Sequence, residues 1–312
     1  MNKRRIASLI GIGGLVIGAA CGEVTQSAEA STSSSASASV PADIFGIQPL
    51  DNNASAGSVI LTFDDGPDIY DPLLLAELNL LHLHAIFFVI GDKITAQTKA
   101  IIKAEVASGD LVENHTWDHS DWTGASTGTA PLTDAQVTAE LSETQAAIVA
   151  AGAPIPTLAR APFGDLTGQY AVDAADLGLQ MVQPFEVNAA YSPRVVDSND
   201  WTGIPASQIV TDVTEGADGM PGIDGGAIVG FHDAAPYSCA SESATTGSVS
   251  GRQHMVGEWQ SPLCMDVLNT IAALPGIVKY MNANHLGDTT SVPTDATGGI
   301  LGPPPWNWLP TP

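Results

Sequence analysis

An apolar run that reads as a strand stops at two adjacent carboxylates, Asp64 and Asp65, followed by the turn pair Gly66-Pro67. Neighbouring carboxylates repel and need a cation or a proton between them; a polar turn with an aspartate cap would use the same residues. Further along, His115-Thr116-Trp117-Asp118-His119 places histidines at i and i+4. On a helical turn that spacing puts both rings on one side, where they can grip one metal ion. Two imidazoles, one carboxylate and an open position for water make a catalytic zinc-type site. Arg160 opens Arg160-Ala161-Pro162-Phe163-Gly164 at the end of another strand-like run, placed either for a site carboxylate or for a surface ion pair. Asp197-Ser198-Asn199-Asp200-Trp201 reads by itself as an ordinary polar loop. Ile228-Val229-Gly230-Phe231 ends in His232-Asp233. A histidine there has the pKa range for acid–base work, or is a core histidine with its hydrogen bonds satisfied.

Such groups need a frame that brings strand ends together. Short β-rich runs at Val59–Phe63, Ala85–Ile90, Leu111–Asn114, Leu158–Pro162, Leu179–Phe185, Ala227–Phe231 and Ile277–Tyr280 are predicted as strands. Helical patterns fall between several of them. One opens at Asp71-Pro72, with Asp71 as the N-cap; one runs from Thr95 to Ser108 before Gly109; one from Thr133 to Ala151 before Gly152; one covers about Pro205–Gly216. This βα alternation predicts an α/β domain with a parallel sheet, open or closed into a barrel, and functional groups at the carboxyl ends of its strands. His82 and His84 end a Leu-rich helix and read as packing or surface residues; His254 and His285 match no cluster. Trp122 could touch substrate or simply be packed.

In this order the five clusters resemble the polysaccharide deacetylases of the NodB-homology type, carbohydrate esterase family 4. That family carries TFDDG, then HSxxH or HTxxH, RxPYG or RxPFG, DxxDW and an LxH strand, which stand here as Thr62–Gly66, His115–His119, Arg160–Gly164, Asp197–Trp201 and Gly230–His232. The likeness covers about residues 58–285, and the tail around Trp306 and Trp308 is similar to that of chitin-deacetylase-like members. The resemblance implies a distorted (β/α)7 barrel. It implies that Asp65, His115 and His119 hold one divalent ion, zinc or else cobalt or another metal. Asp64 would be the general base toward the attacking water, and His232 the general acid toward the leaving amine or alcohol. Arg160 would orient Asp64, Asp200 would orient and charge His232, the Phe163 backbone N–H would help hold the oxyanion, and Trp201 would line the groove. Two positions depart from the pattern. Gly230 stands where the family has a Leu lining the acetyl pocket, and Phe163 replaces the commoner Tyr.

The expected activity is therefore removal of acetyl groups from an extracellular polysaccharide, N-deacetylation of N-acetylglucosamine polymers first. The alternatives are O-deacetylation of xylan, an esterase for a larger acyl group suggested by Gly230, and a catalytically inactive carbohydrate-binding protein.

Composition sets the surroundings. With 34 acidic and 10 basic residues the net charge of the 312-residue chain is −24, a field that opposes nucleic acid and anionic membrane. A basic start at Lys3-Arg4-Arg5 and the apolar run Ile6–Ala20 read as a signal peptide over residues 1–20. The run ends in Gly18-Ala19-Ala20-Cys21, which resembles a bacterial lipobox, so Cys21 is a candidate lipidation site and the protein is expected to be secreted or lipid-anchored at the cell envelope. Residues 21–57, rich in Ser and Ala, read as a flexible linker; 58–286 as the catalytic domain; 287–312 as a Pro/Gly-rich tail. Cys239 and Cys264 bracket a long irregular stretch and, in an oxidising compartment, are expected to pair. The chain is expected to be a monomer that meets an acetylated polysaccharide or oligosaccharide.

Overall fold

Thr62 and Asp64 can face one way and Phe63 the other only on an extended strand, and that alternation organises the centre of the molecule. The structure, a computed structural model, describes residues 50, 54–182, 195–217, 219–234 and 262–291. Strand β1 (Ser58–Asp64) lies in the middle of a parallel sheet with β2 (Ala85–Val89), β3 (Leu111–Asn114), β4 (Leu158–Ala159), β5 (Gln180–Met181), β6 (Val195–Asp197) and β7 (Ile228–His232). The order is β5-β4-β3-β2-β1-β7-β6, and β8 (Gly287–Asp288) pairs with the first residues of β1. β5 and β6 are edges that do not pair with each other among the described residues, so the seven strands make an incomplete, distorted barrel. The central strands are buried on both faces, as parallel strands under crossover helices are.

Register carries strand position into site position. Phe63 sits opposite Phe87 on β2 and Phe231 on β7, and its ring stacks on theirs at 5.5 and 5.2 Å between centroids. This aromatic row is anchored in the larger core cluster, on the face of β1 away from the polar groups. One residue on, Asp64 falls opposite His232. The sheet thus delivers two polar groups side by side at its carboxyl edge.

Among the described residues six α-helices accompany the sheet: α1 (Asp71–Leu81), α2 (Lys99–Ser108), α3 (Asp134–Ala151), α4 (Gly168–Asp176), α5 (Ala206–Glu215) and α6 (Pro262–Ala283). α3 begins with a capping box between Thr133 and Gln136 and ends at Gly152 with φ +104°, where glycine meets no Cβ penalty. α1 starts one residue away from expectation. Tyr70 occupies the cap position, while the Asp71 carboxylate accepts the Asp68 N–H at 2.6 Å. α2 begins at Lys99 rather than Thr95, because the Thr95 and Thr98 side chains satisfy turn N–H groups of their own.

Ile277–Tyr280 is not a strand but part of α6. Its β-branched pair suggested a strand, yet Ile271, Leu274, Val278 and Met281 are buried at helical spacing around it, and a short apolar run by itself does not separate the two. β6, β8 and α4 went unrecognised, being too short or too polar to show a period. The sheet also reaches Asp288, and Leu50 is buried with its N–H on Leu81 O, both beyond the expected limits of 58 and 286. Among the described residues no helix is long and apolar enough to cross a membrane. The signal peptide, Cys21, Cys239 with its expected bond to Cys264, and Trp306 and Trp308 lie outside what is described, apart from the Cys264 backbone within α6.

Candidate active site

Asp64 and Asp65 leave β1 in different directions because Asp65 takes a left-handed backbone, φ +79°. Both are nearly buried, at 5% and 3% exposure. Asp64 Oδ1 accepts from Arg160 Nη1 at 2.7 Å, and the same nitrogen donates to Thr62 Oγ1 at 2.8 Å. The period of two along β1 makes this shared grip possible. Arg160 follows β4, with its N–H on Asn114 O, and its side chain is fully buried, with Cζ 4.4 Å from the Phe88 ring centroid. The lone arginine at a strand end is therefore aimed at Asp64 and is not in a surface ion pair.

His115 and His119 converge on Asp65, but not on a helical turn. They lie on an irregular loop after β3 in which Thr116 and His119 have φ of +68° and +59°. The loop is pinned from several sides. Thr116 N–H donates to Asn114 Oδ1, Trp117 and Asp118 N–H to Glu140 Oε2, and Gly91 N–H to Thr116 O. Both Nε2 atoms end 3.4 Å from Asp65 Oδ1. His115 Nδ1 lies 3.0 Å from Arg160 O. A carbonyl can only accept, so Nδ1 carries the proton and Nε2 presents its lone pair, the usual outer-shell arrangement of a metal-binding histidine.

A divalent ion fits these residues. Oδ1 of Asp65 is buried and makes no hydrogen bond, and one ligand atom from each of Asp65, His115 and His119 lies within 4.8 Å of the others. Burial alone would raise the Asp65 pKa, but the two histidines outweigh it and hold the carboxyl below its ordinary range. Burial favours the neutral ring of His119, whose pKa falls to about 4 despite Asp65. An ionised carboxylate and a neutral imidazole are the forms in which these side chains bind a metal.

On the β7 side, His232 Nδ1 pairs with Asp200 Oδ1 at 2.8 Å, and the His232 backbone N–H donates to Asp200 Oδ2 at 2.9 Å. Thr270 on α6 also donates to Oδ2, at 2.7 Å. Burial opposes the charged ring, but Asp200 prevails and pushes the His232 pKa up to about 10. Asp200 itself follows Asn199, at φ +54°. Trp201 beside it is 52% exposed. Phe163 has φ +56°, and its ring meets His119 edge-on at 4.7 Å.

Five left-handed non-glycine residues thus sit in or beside the five clusters: Asp65, Thr116, His119, Phe163 and Asn199. Such backbone costs about 1–3 kcal/mol per residue and gathers where geometry serves function. Trp122 is fully buried, packed on Tyr170. His82 caps α1 and His84 is exposed beside Asp110; neither reaches the site. Sequence reading placed Thr62 in the first cluster without a role, and missed Asn114, Glu140 and Thr270. Asn114 could have been noticed as a polar residue ending an otherwise apolar strand, whereas Thr270 lies far from Asp200 in the chain and carries no local signal.

Residues 51–182 match the family described as polysaccharide deacetylase. The chain is 31% identical over 204 residues to a chitooligosaccharide deacetylase of Bradyrhizobium sp. (strain ANU 289), covering 64% of this chain and 83% of that protein. It is 29% identical over 178 residues to chitin deacetylase 1 of Cryptococcus neoformans, covering 55% of this chain and 36% of that one. It thus spans about a third of the length of the latter. Among solved structures, a family 4 carbohydrate esterase from Streptomyces lividans in complex with acetate superposes with a TM-score of 0.52 at 27% identity, over 75% of this chain and 92% of that one.

Proposed function

Since the chain belongs to the polysaccharide deacetylases of carbohydrate esterase family 4, we propose that it hydrolyses acetyl groups from an acetylated polysaccharide outside the cytoplasm, with N-acetylglucosamine polymers as the first substrate class. The observation that carries this reading is the convergence of Asp65, His115 and His119, flanked by an arginine-bound carboxylate on one side and an aspartate-bound histidine on the other. A divalent ion held there, zinc by the preference of a two-imidazole, one-carboxylate set, supplies Lewis acidity toward the acyl oxygen and acidifies water.

The remaining chemistry falls to the chain. An amide carbonyl is a poor electrophile and an amine a poor leaving group, so a proton must leave the nucleophile and another must reach the nitrogen. Asp64, held in place by Arg160, takes the first. His232 carries its Nδ1 proton on Asp200 and offers Nε2–H to the leaving atom. Each such transfer is worth about 100- to 10,000-fold. The Phe163 N–H, turned by its left-handed backbone, donates to the developing oxyanion, a contribution of roughly 3 kcal/mol. Trp201 offers an exposed ring to a sugar face.

The test is acetate release by the chain after chelation and reloading with zinc or cobalt, on chitin oligomers, peptidoglycan and acetylated xylan. Metal-restored release from chitin oligomers or peptidoglycan is the expected result. Release from xylan alone would replace the amide reading with the ester one. No release from any polymer, with a metal bound and the domain folded, would shift the weight to a larger acyl group at Gly230 or to a binding role.

A further inference from the structure

A second set of carboxylates is buried next to the catalytic centre. Asp71 opens α1, Glu105 lies in α2, and Asp233 directly follows His232 at the end of β7. All three are fully shielded from solvent, at 0% exposure, and one oxygen of each lies within 4.8 Å of the others. Glu113 and Asp121, buried elsewhere, do have donors: Glu113 accepts from the Thr157 and Leu158 N–H groups, and Asp121 from Gly124 and Thr127. Among the described residues the donor to this cluster is the Asp68 N–H, on Asp71 Oδ2. Oδ1 of Asp71, both oxygens of Glu105 and both oxygens of Asp233 make no hydrogen bond.

A buried carboxylate without a donor costs several kcal/mol unless a cation or a proton meets it. Lys93 interacts electrostatically with Asp71 and Asp233, but its ammonium also donates to Asp65 O at 2.7 Å. The single charge of Lys93 is shared among Asp65, Asp233, Asp68 and Asp71, so at least two of the cluster's three negative charges stay uncompensated, and one divalent ion balances two.

We propose that Asp71, Glu105 and Asp233 hold a calcium ion, at a site chemically distinct from that of Asp65, His115 and His119. The donors are all carboxylate oxygens, which select hard cations and not zinc or copper. A separation of up to 4.8 Å is about twice a Ca–O bond of ~2.4 Å. Magnesium demands a tighter octahedron and keeps several waters, which suits a dry carboxylate cage poorly. Without a cation, burial and mutual repulsion drive all three carboxyls well above their ordinary range.

The site ties together α1, α2 and the end of β7 directly behind the catalytic residues. Asp233 N–H donates to Asp64 O. A methyl group on Gly66 would collide with the Asp233 carboxylate, so glycine is what lets the Asp64–Pro67 turn lie against it. The calcium site is therefore a clamp under the catalytic turn, not part of the reacting centre.

The test is metal content and thermal midpoint of the full chain, dialysed against calcium in 0.1 M salt with the catalytic site loaded with zinc. One calcium per chain beyond the zinc is expected, with a midpoint raised by about 5 °C at saturating calcium. Glu105→Gln and Asp71→Asn should lose both the calcium and the shift while retaining zinc. His119→Ala should lose zinc and retain calcium. A wild-type chain that binds no calcium and melts at the same temperature with and without it would overturn the proposal in favour of carboxyls sharing protons. Calcium bound equally by wild type and Glu105→Gln would also overturn it, since surface acids would then be responsible. If Glu105→Gln and Asp71→Asn fail to fold, the wild-type stoichiometry and shift decide.

Discussion

Asp65 and Asp233 are the same residue type, both buried, each one residue past a polar group at the end of neighbouring parallel strands. Asp65 meets two imidazoles and its carboxyl is held below the ordinary range; Asp233 meets Asp71 and Glu105 and its carboxyl is driven well above it. Burial acts on both in the same direction. The neighbours decide the outcome, and they come from the loop after β3 in one case and from α1 and α2 in the other. The same side chain thereby serves a mixed nitrogen–oxygen site and an all-oxygen cluster, with opposite preferences for metal.

The sharpest way to break this contrast is to neutralise each aspartate in turn. Asp65→Asn is expected to reduce acetate release to background and to remove the zinc equivalent, whereas Asp233→Asn should retain zinc; metal analysis and acetate assays on both chains check this. Asp64→Asn comes next. It should keep the catalytic metal and lower turnover by about 100- to 10,000-fold, and it should also lower the melting midpoint, because the buried Arg160 loses its counter-charge. Retained turnover in that chain would remove Asp64 from the mechanism.

A smaller effect is expected at Asp200. The acid form of His232 is present below its pKa and is lost as pH rises through it, so the alkaline limb of kcat/KM should lie above the ordinary imidazole range, toward the value of about 10. In Asp200→Asn the limb should move down toward about 6.5, where only ~3% of the ring is protonated at pH 8. The expected loss at pH 8 is therefore about 30-fold, with recovery toward pH 6; an unmoved limb would show that another group sets it. The same pair links pH to stability. Its contribution is fully present below the ordinary imidazole pKa and fades as pH rises toward 10. The smallest effect is Thr133→Ala, which removes the α3 capping box and should cost about 1 kcal/mol in denaturant unfolding with kcat unchanged. That variant separates loss of stability from loss of catalysis in Asp65→Asn, Asp64→Asn and Asp200→Asn.

Much of the site was legible. Asp64-Asp65, the two histidines, Arg160 and His232 were picked out by type and position at strand ends, whereas Asp200 read as an ordinary loop residue and gained a role only through the family resemblance; the structure gathers them. What misled was local conformation. The spacing of His115 and His119 suggested a helical turn, but Thr116 and His119 adopt left-handed backbone, which for β-branched Thr116 runs against its preference. The Ile277–Tyr280 run suggested a strand because β-branching is a weak preference that packing of α6 overrides. β6 and β8 hold three and two residues, too short to show a period.

The amino-acid order alone set which chemical groups exist and, within a residue, where β1, β2, β3 and β7 stop, because strand alternation and turn residues act over a few neighbours. Which groups meet was decided by the sheet. Register across β1 and β7 places Asp64 beside His232, and the β3 and β4 connections bring the histidines and Arg160 to the same edge. The cluster of Asp71, Glu105 and Asp233 belongs wholly to that second level. Each residue is unremarkable in its own segment, and only three-dimensional packing makes their shared charge a problem that needs a cation.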